Sequence, residues 1–177
     1  TKNEWKGVPV VAANMDTTGT FEMAKALQNE NMMTCLQKFY ATREYASAWE
    51  DGVDANFIAA TCGSTEESLT LLKRKMATNE NIPFICIDVA NGYMQSLLVF
   101  CQKVRKRFPH KIIVAGNVCT GERVQELLLY GGVDIVKVGI GPGSACTTRV
   151  KTGVGVPQLT AILECADAAH KVGGHIM

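Results

Sequence analysis

What this sequence lacks narrows its chemistry before any motif is read. It has no run of 18 apolar residues, so no segment is predicted to cross a membrane as a helix. No basic, apolar and small-residue succession of the secretory type is present either. It has no excess of one charge: 18 Lys and Arg stand against 17 Asp and Glu, a formal net charge of +1. That balance gives no reason to expect a nucleic acid or a membrane as partner. CxxC pairs are absent, and none of the three histidines stands at ligand spacing, which argues against structural zinc. Seven cysteines at 35, 62, 86, 101, 119, 146 and 165 are an odd, scattered set. They read as reduced thiols of a cytoplasmic protein.

What is present is an ordinary globular composition, 47% hydrophobic and 20% charged, read as a single domain over residues 1–177. Short apolar runs predict strands at Val8–Met15, Met33–Phe39, Asn56–Cys62, Phe84–Val89, Ile112–Val118 and Asp134–Val138, with a seventh beginning at His175. Amphipathic stretches between them predict helices at Phe21–Glu30, Glu66–Met76 (capped by Ser64), Ser96–Phe108, Gly121–Tyr130 and Leu159–Val172. Strand and helix alternate, so the sheet is expected to be parallel. The spacing matches a (β/α)8 TIM barrel of about 250 residues, with strands 1–6 and the start of strand 7 present. A doubly wound sheet is the second choice, because Asn14-Met15-Asp16-Thr17-Thr18-Gly19 does not supply its glycine fingerprint. The barrel is expected to be incomplete at its C-terminus and at its N-terminus, where Thr1-Lys2-Asn3 opens without an initiator methionine.

A barrel predicts that polar residues gather just after each strand, at the catalytic face. Asn14 and Asp16, Lys38, Thr61 and Ser64, Asp88 with Asn91 and Gly92, and Asn117 with Thr120 occupy those places. After the sixth strand comes Gly139-Ile140-Gly141-Pro142-Gly143-Ser144-Ala145-Cys146-Thr147-Thr148-Arg149. Glycines there allow close backbone approach to a ligand. Cys146 is the candidate nucleophile, with Arg149 and Lys151 nearby to favour a thiolate. Cys35, Cys62, Cys86, Cys101 and Cys165 lie in or beside apolar patterns and are expected to pack in the core. The basic run Lys103–Arg107 is expected to be the solvated end of a helix.

The cysteine loop, followed by Lys151-Thr152-Gly153-Val154-Gly155 and Pro157-Gln158, resembles the signature of the GMP reductases. Those enzymes share one (β/α)8 superfamily with the IMP dehydrogenases. Ala12–Thr17, Asp88–Tyr93, Ala115–Val118, Thr120–Glu122 and Glu164–His170 are similar as well, so the resemblance runs the length of the chain. The dehydrogenases typically resemble Gly-Ser-Gly-Ser-Ile-Cys-Ile-Thr, where this chain has Pro142 and Cys146-Thr147-Thr148-Arg149. Most also carry a pair of CBS modules after the second barrel helix. Here 17 residues, 39 to 55, separate Lys38 from Asn56, room for one helix and no insertion.

The resemblance implies NADPH-dependent reductive deamination of GMP to IMP and ammonia. Cys146 would attack C2 of the purine, and Thr148 would donate a proton together with a glutamate of a later loop. Lys38, Asp88, Val89, Ala90, Asn117, Ile140 and Gly141 match cofactor-binding positions, and Ser144 a contact to the nucleotide phosphate. Gly141, Gly143, Cys146 and Arg149 match a loop for a monovalent cation, K+. A homotetramer is implied in the same way. Alternatives are an IMP dehydrogenase lacking CBS modules, or a catalytically silent barrel used for binding. Gln37 and Phe39 replace histidines usual beside the lysine, Val156 replaces a tyrosine, and Gly131–Asp134 is one residue longer than the family pattern.

Overall fold

In the computed structural model, residues 4–177 are described; the expectation attached to Thr1-Lys2-Asn3 lies outside them. Seven parallel strands alternate with helices, the arrangement of part of a (β/α)8 barrel. The chain divides into two compact units, residues up to 87 with 110–112, and residues 88–109 with 113–177. No helix among the described residues is long and apolar enough to cross a membrane.

In the first unit, β1 (Val8–Ala12), β2 (Met32–Cys35), β3 (Ile58–Cys62) and β4 (Phe84–Asp88) pair in chain order. All five residues of β3 are buried, as a strand covered on both faces requires. Helix α1 (Phe21–Leu27) starts where Met23 N–H donates to Thr20 Oγ1 at 3.1 Å, and a 3-10 turn at Gln28–Glu30 replaces its expected last turn. Helix α2 (Thr42–Glu50) fills the segment between β2 and β3. Helix α3 (Glu66–Thr78) is capped by Thr65, not Ser64, with Ser68 N–H donating to Thr65 Oγ1 at 3.2 Å. Because the first helical residue is Glu66, the N-cap position falls on Thr65, and Ser64 stands one residue outside it. Leu69, Leu72, Lys75 and Met76 form the buried face of α3.

In the second unit, β5 (Ile112–Val118), β6 (Ile135–Val138) and the short β7 (His175–Ile176) are also parallel. Helix α4 (Gln95–Arg107) ends before Pro109, which cannot continue a helix. Its basic run is not simply solvated. Arg105 is half-buried, pairs with Asp134 and donates to Gly132 O at 2.8 Å. Helix α5 (Gly121–Tyr130) and helix α7 (Gln158–Lys171) follow their strands as expected, while α6 (Thr148–Thr152) lies inside the cysteine loop and was not foreseen. Strands end earlier than their apolar runs, β1 at Ala12 and β2 at Cys35, because Asn14 and Lys38 already belong to turns.

Candidate active site

The cysteine loop begins where β6 stops. Gly139 and Gly141 take φ of 133° and 62°, values that side chains rarely adopt. Gly139 N–H donates to Val118 O at 2.8 Å, and Val156 N–H returns to Ile140 O at 3.2 Å. These two bonds close the base of the loop. Six of the seven cysteines are buried, and Cys146 alone is partly open to solvent. Its thiol is held below the usual range, chiefly by hydrogen bonds from the Thr148 hydroxyl and the Thr148 N–H, with the Arg149 charge assisting against some desolvation. The Thr148 amide is available because α6 starts there, and first-turn N–H groups have no acceptor within a helix. Lys151 is exposed and is not among the groups that shift the thiol, contrary to the sequence expectation.

Arg149 is threaded through the loop by glycine. A Cβ at Gly141 would lie 2.7 Å from Arg149 Cγ, and one at Gly155 only 2.2 Å away. Passing between them, the guanidinium donates to Gly143 O at 3.4 Å, and the same oxygen accepts from Cys146 N–H at 3.1 Å. Ser144, in the exposed arc of this turn, is solvent-facing.

The second unit also gathers most of the expected cofactor residues. Val89 N–H donates to Gly116 O at 2.9 Å and Asn117 N–H to Val89 O at 3.0 Å, so Val89 and Asn117 are fixed side by side. Asp88 pairs with Lys137 Nζ at 2.8 Å. Ile140 and Gly141 are buried, whereas Ala90 is exposed. Asn117 Oδ1 is buried and accepts no hydrogen bond from the described residues, which leaves a buried acceptor unsatisfied. Lys137 is hidden in the sequence because it stands within the apolar run of a strand; a lysine inside such a run is the available signal. Gln158 was noted only as part of a motif. Its Nε2 donates to Val138 O at 3.1 Å, next to the turn at Gly139, and its buried Oε1 has no partner among the described residues.

Lys38 belongs to the first unit, three residues past the end of β2. With Phe39, Thr61, Cys62, Ser68 and Lys75 it lines a cleft of about 260 Å³. Its ammonium lies 5.7 Å from the Phe39 ring centroid. Lys75 is a further basic group the sequence reading passed over; three residues beyond Leu72, it falls on the buried stripe of α3. Burial pushes its ammonium down to about 8 from an ordinary 10.5, with the nearby Cys62 and Glu44 opposing.

The family model described as IMP dehydrogenase / GMP reductase domain matches residues 3–177. A GMP reductase of Vibrio vulnificus (strain YJ016) is 53% identical over 176 residues, 98% of this chain and 50% of the relative. One from Tolumonas auensis (strain DSM 9187 / NBRC 110442 / TA 4) is 51% identical over 179 residues, 100% of this chain and 51% of the relative. The chain spans about half the length of the curated relatives it matches. A solved inosine 5'-monophosphate dehydrogenase from Legionella pneumophila superposes with a TM-score of 0.81 at 32% identity, covering 90% of this chain and 48% of the other.

Proposed function

This chain belongs to the IMP dehydrogenase / GMP reductase family, and on that premise we propose that the full-length protein reductively deaminates GMP to IMP and ammonia with NADPH. The observation that carries the reading is the state of Cys146: it is the one thiol of seven not buried, and its neighbours loosen its proton. Identity near one half to proteins named GMP reductase favours the reductase over the dehydrogenase reading.

Cys146 Sγ, as thiolate, forms a bond to purine C2, and the C2–N bond breaks as ammonia leaves with a proton. Thr148 is assigned to that proton because its hydroxyl is the largest of the influences that lower the acidity range of the attacking sulfur. When bound, NADPH would supply a hydride for C2; Cys146 then leaves the carbon with the carbon–sulfur bond pair and is restored as thiolate. Asn117 fits such a cofactor, since its orphaned buried oxygen can accept from a carboxamide N–H. Asp88, with Lys137 neutralising it, Val89, Ala90, Ile140 and Gly141 are assigned to the same end of the cofactor, Ser144 to the nucleotide phosphate, and Lys38 to a cofactor phosphate.

The K+ expected at Gly141, Gly143, Cys146 and Arg149 does not fit the loop as it stands. Gly143 O is taken by the Cys146 amide and by a guanidinium whose charge repels a cation, so no step is assigned to the ion. We place the protein in the cytoplasm as a single barrel domain without CBS insertion, in keeping with its free thiols, and as a homotetramer, which sedimentation of the full-length protein checks.

The test is the loss of nicotinamide absorbance when full-length protein meets GMP and NADPH. Cys146→Ala is expected to abolish turnover while GMP still binds. Turnover by that variant close to wild type would remove the covalent role. NADH formation from IMP and NAD+, with no NADPH consumption, would favour the dehydrogenase, and neither reaction the silent barrel.

A further inference from the structure

Lys75 poses a question that the proposed chemistry leaves open. It is 1% exposed on α3, and a side chain of the same length without charge would fill the space with no desolvation penalty. No carboxylate among the described residues comes within ion-pair reach of its ammonium. Instead Nζ donates to Lys38 O at 2.9 Å and to Thr61 O at 3.4 Å, and lies 5.3 Å from the Tyr45 ring centroid. One buried cation thus ties the turn after β2 to the end of β3 and to α2.

The turn it holds has no ladder of its own, because β2 stops at Cys35. Gln37 N–H is anchored on Gly19 O at 2.8 Å, and Phe39 N–H on the Gln37 side chain at 2.9 Å. Between these two donors, the carbonyl of Lys38 is anchored by Lys75. Both lysines line the same cleft.

From this geometry we infer that Lys75 is a positioning residue: its ammonium fixes the backbone of Lys38 and thereby sets where the Lys38 side chain meets the phosphates of a nicotinamide dinucleotide phosphate. The inference rests on the cofactor reading given above for Lys38. It assigns Lys75 no contact with the cofactor and no part in proton or hydride transfer.

The experiment compares full-length wild type, Lys75→Met, Lys38→Met and the double variant. Equilibrium binding of NADPH is expected to weaken about tenfold in Lys75→Met while GMP binding stays within about twofold. In the Lys38→Met background, adding Lys75→Met is expected to change NADPH binding by less than about twofold, since the residue acts through Lys38. Amide hydrogen exchange at residues 37–40 is expected to quicken in Lys75→Met, with α3 unchanged. Equal losses of NADPH affinity in both backgrounds, or no loss in either, would overturn the inference. So would unchanged exchange at residues 37–40. Wild type that fails to bind NADPH, with exchange still quickened, would overturn the cofactor reading of Lys38 and with it the role assigned to Lys75, leaving only the backbone tether.

Discussion

The buried ammonium of Lys75 makes a pH-dependent contribution to stability that can be worked out in advance. Its proton is held at about 8 in the folded protein against 10.5 ordinarily, because burial disfavours the charged form. Between those two values the unfolded chain binds more protons than the folded one, so this residue makes stability rise as pH rises from 8 to 10.5. Below pH 8 the ammonium is charged in both states and its burial penalty is fully present. The gap corresponds to about 3 kcal/mol at 1.36 kcal/mol per pH unit. Lys75→Met removes the titration and leaves every other lysine and tyrosine in place. Urea unfolding of full-length wild type and variant at pH 7.5, 8.5, 9.5 and 10.5 gives the difference in stability at each pH. Wild type is expected to gain about 3 kcal/mol on the variant across the series. A difference that stays constant within about 0.5 kcal/mol would mean that the ammonium is solvated, and would refute the reasoning.

Three further outcomes are expected. Thr148→Ala removes the main hydrogen bond that holds the Cys146 thiol down, so its proton is kept to higher pH; iodoacetamide labelling of Cys146 should slow at pH 7 and its midpoint should move upward. Gly155→Ala places a Cβ 2.2 Å from Arg149 Cγ, so the arginine must leave the loop; the labelling midpoint should move the same way, by less, because Arg149 is the smaller influence. Gly116→Ala brings a Cβ to 2.4 Å from Lys137 O and 2.7 Å from Lys137 Cβ, where β5 and β6 are tied; a loss of about 2 kcal/mol and a Tm lower by roughly 5 °C are expected in calorimetry.

Local pattern carried a long way in this protein. The β-branched runs and the helical stripes between them set the parallel βα alternation, because a strand and a helix each bury a face that spacing alone reveals. The burial of Cys35, Cys62, Cys86, Cys101 and Cys165 followed from their apolar neighbours in the same way. The glycines of the Gly139–Arg149 stretch marked it as a turn built for close approach, and Cys146 within it as the thiol apart from the core. What a linear reading misses are partners brought together by packing. Lys137 finds Asp88 across 49 residues, Lys75 finds the Lys38 carbonyl across 37, and Arg105 leaves its basic run for Asp134. The low acidity threshold of Cys146 likewise depends on α6, a helix too short for periodicity to detect, whose first amide is free to face the sulfur. Periodicity encodes which face of an element is buried; it holds no record of which charge will be enclosed beside which carbonyl, since that is decided only when separate elements pack and water is excluded between them.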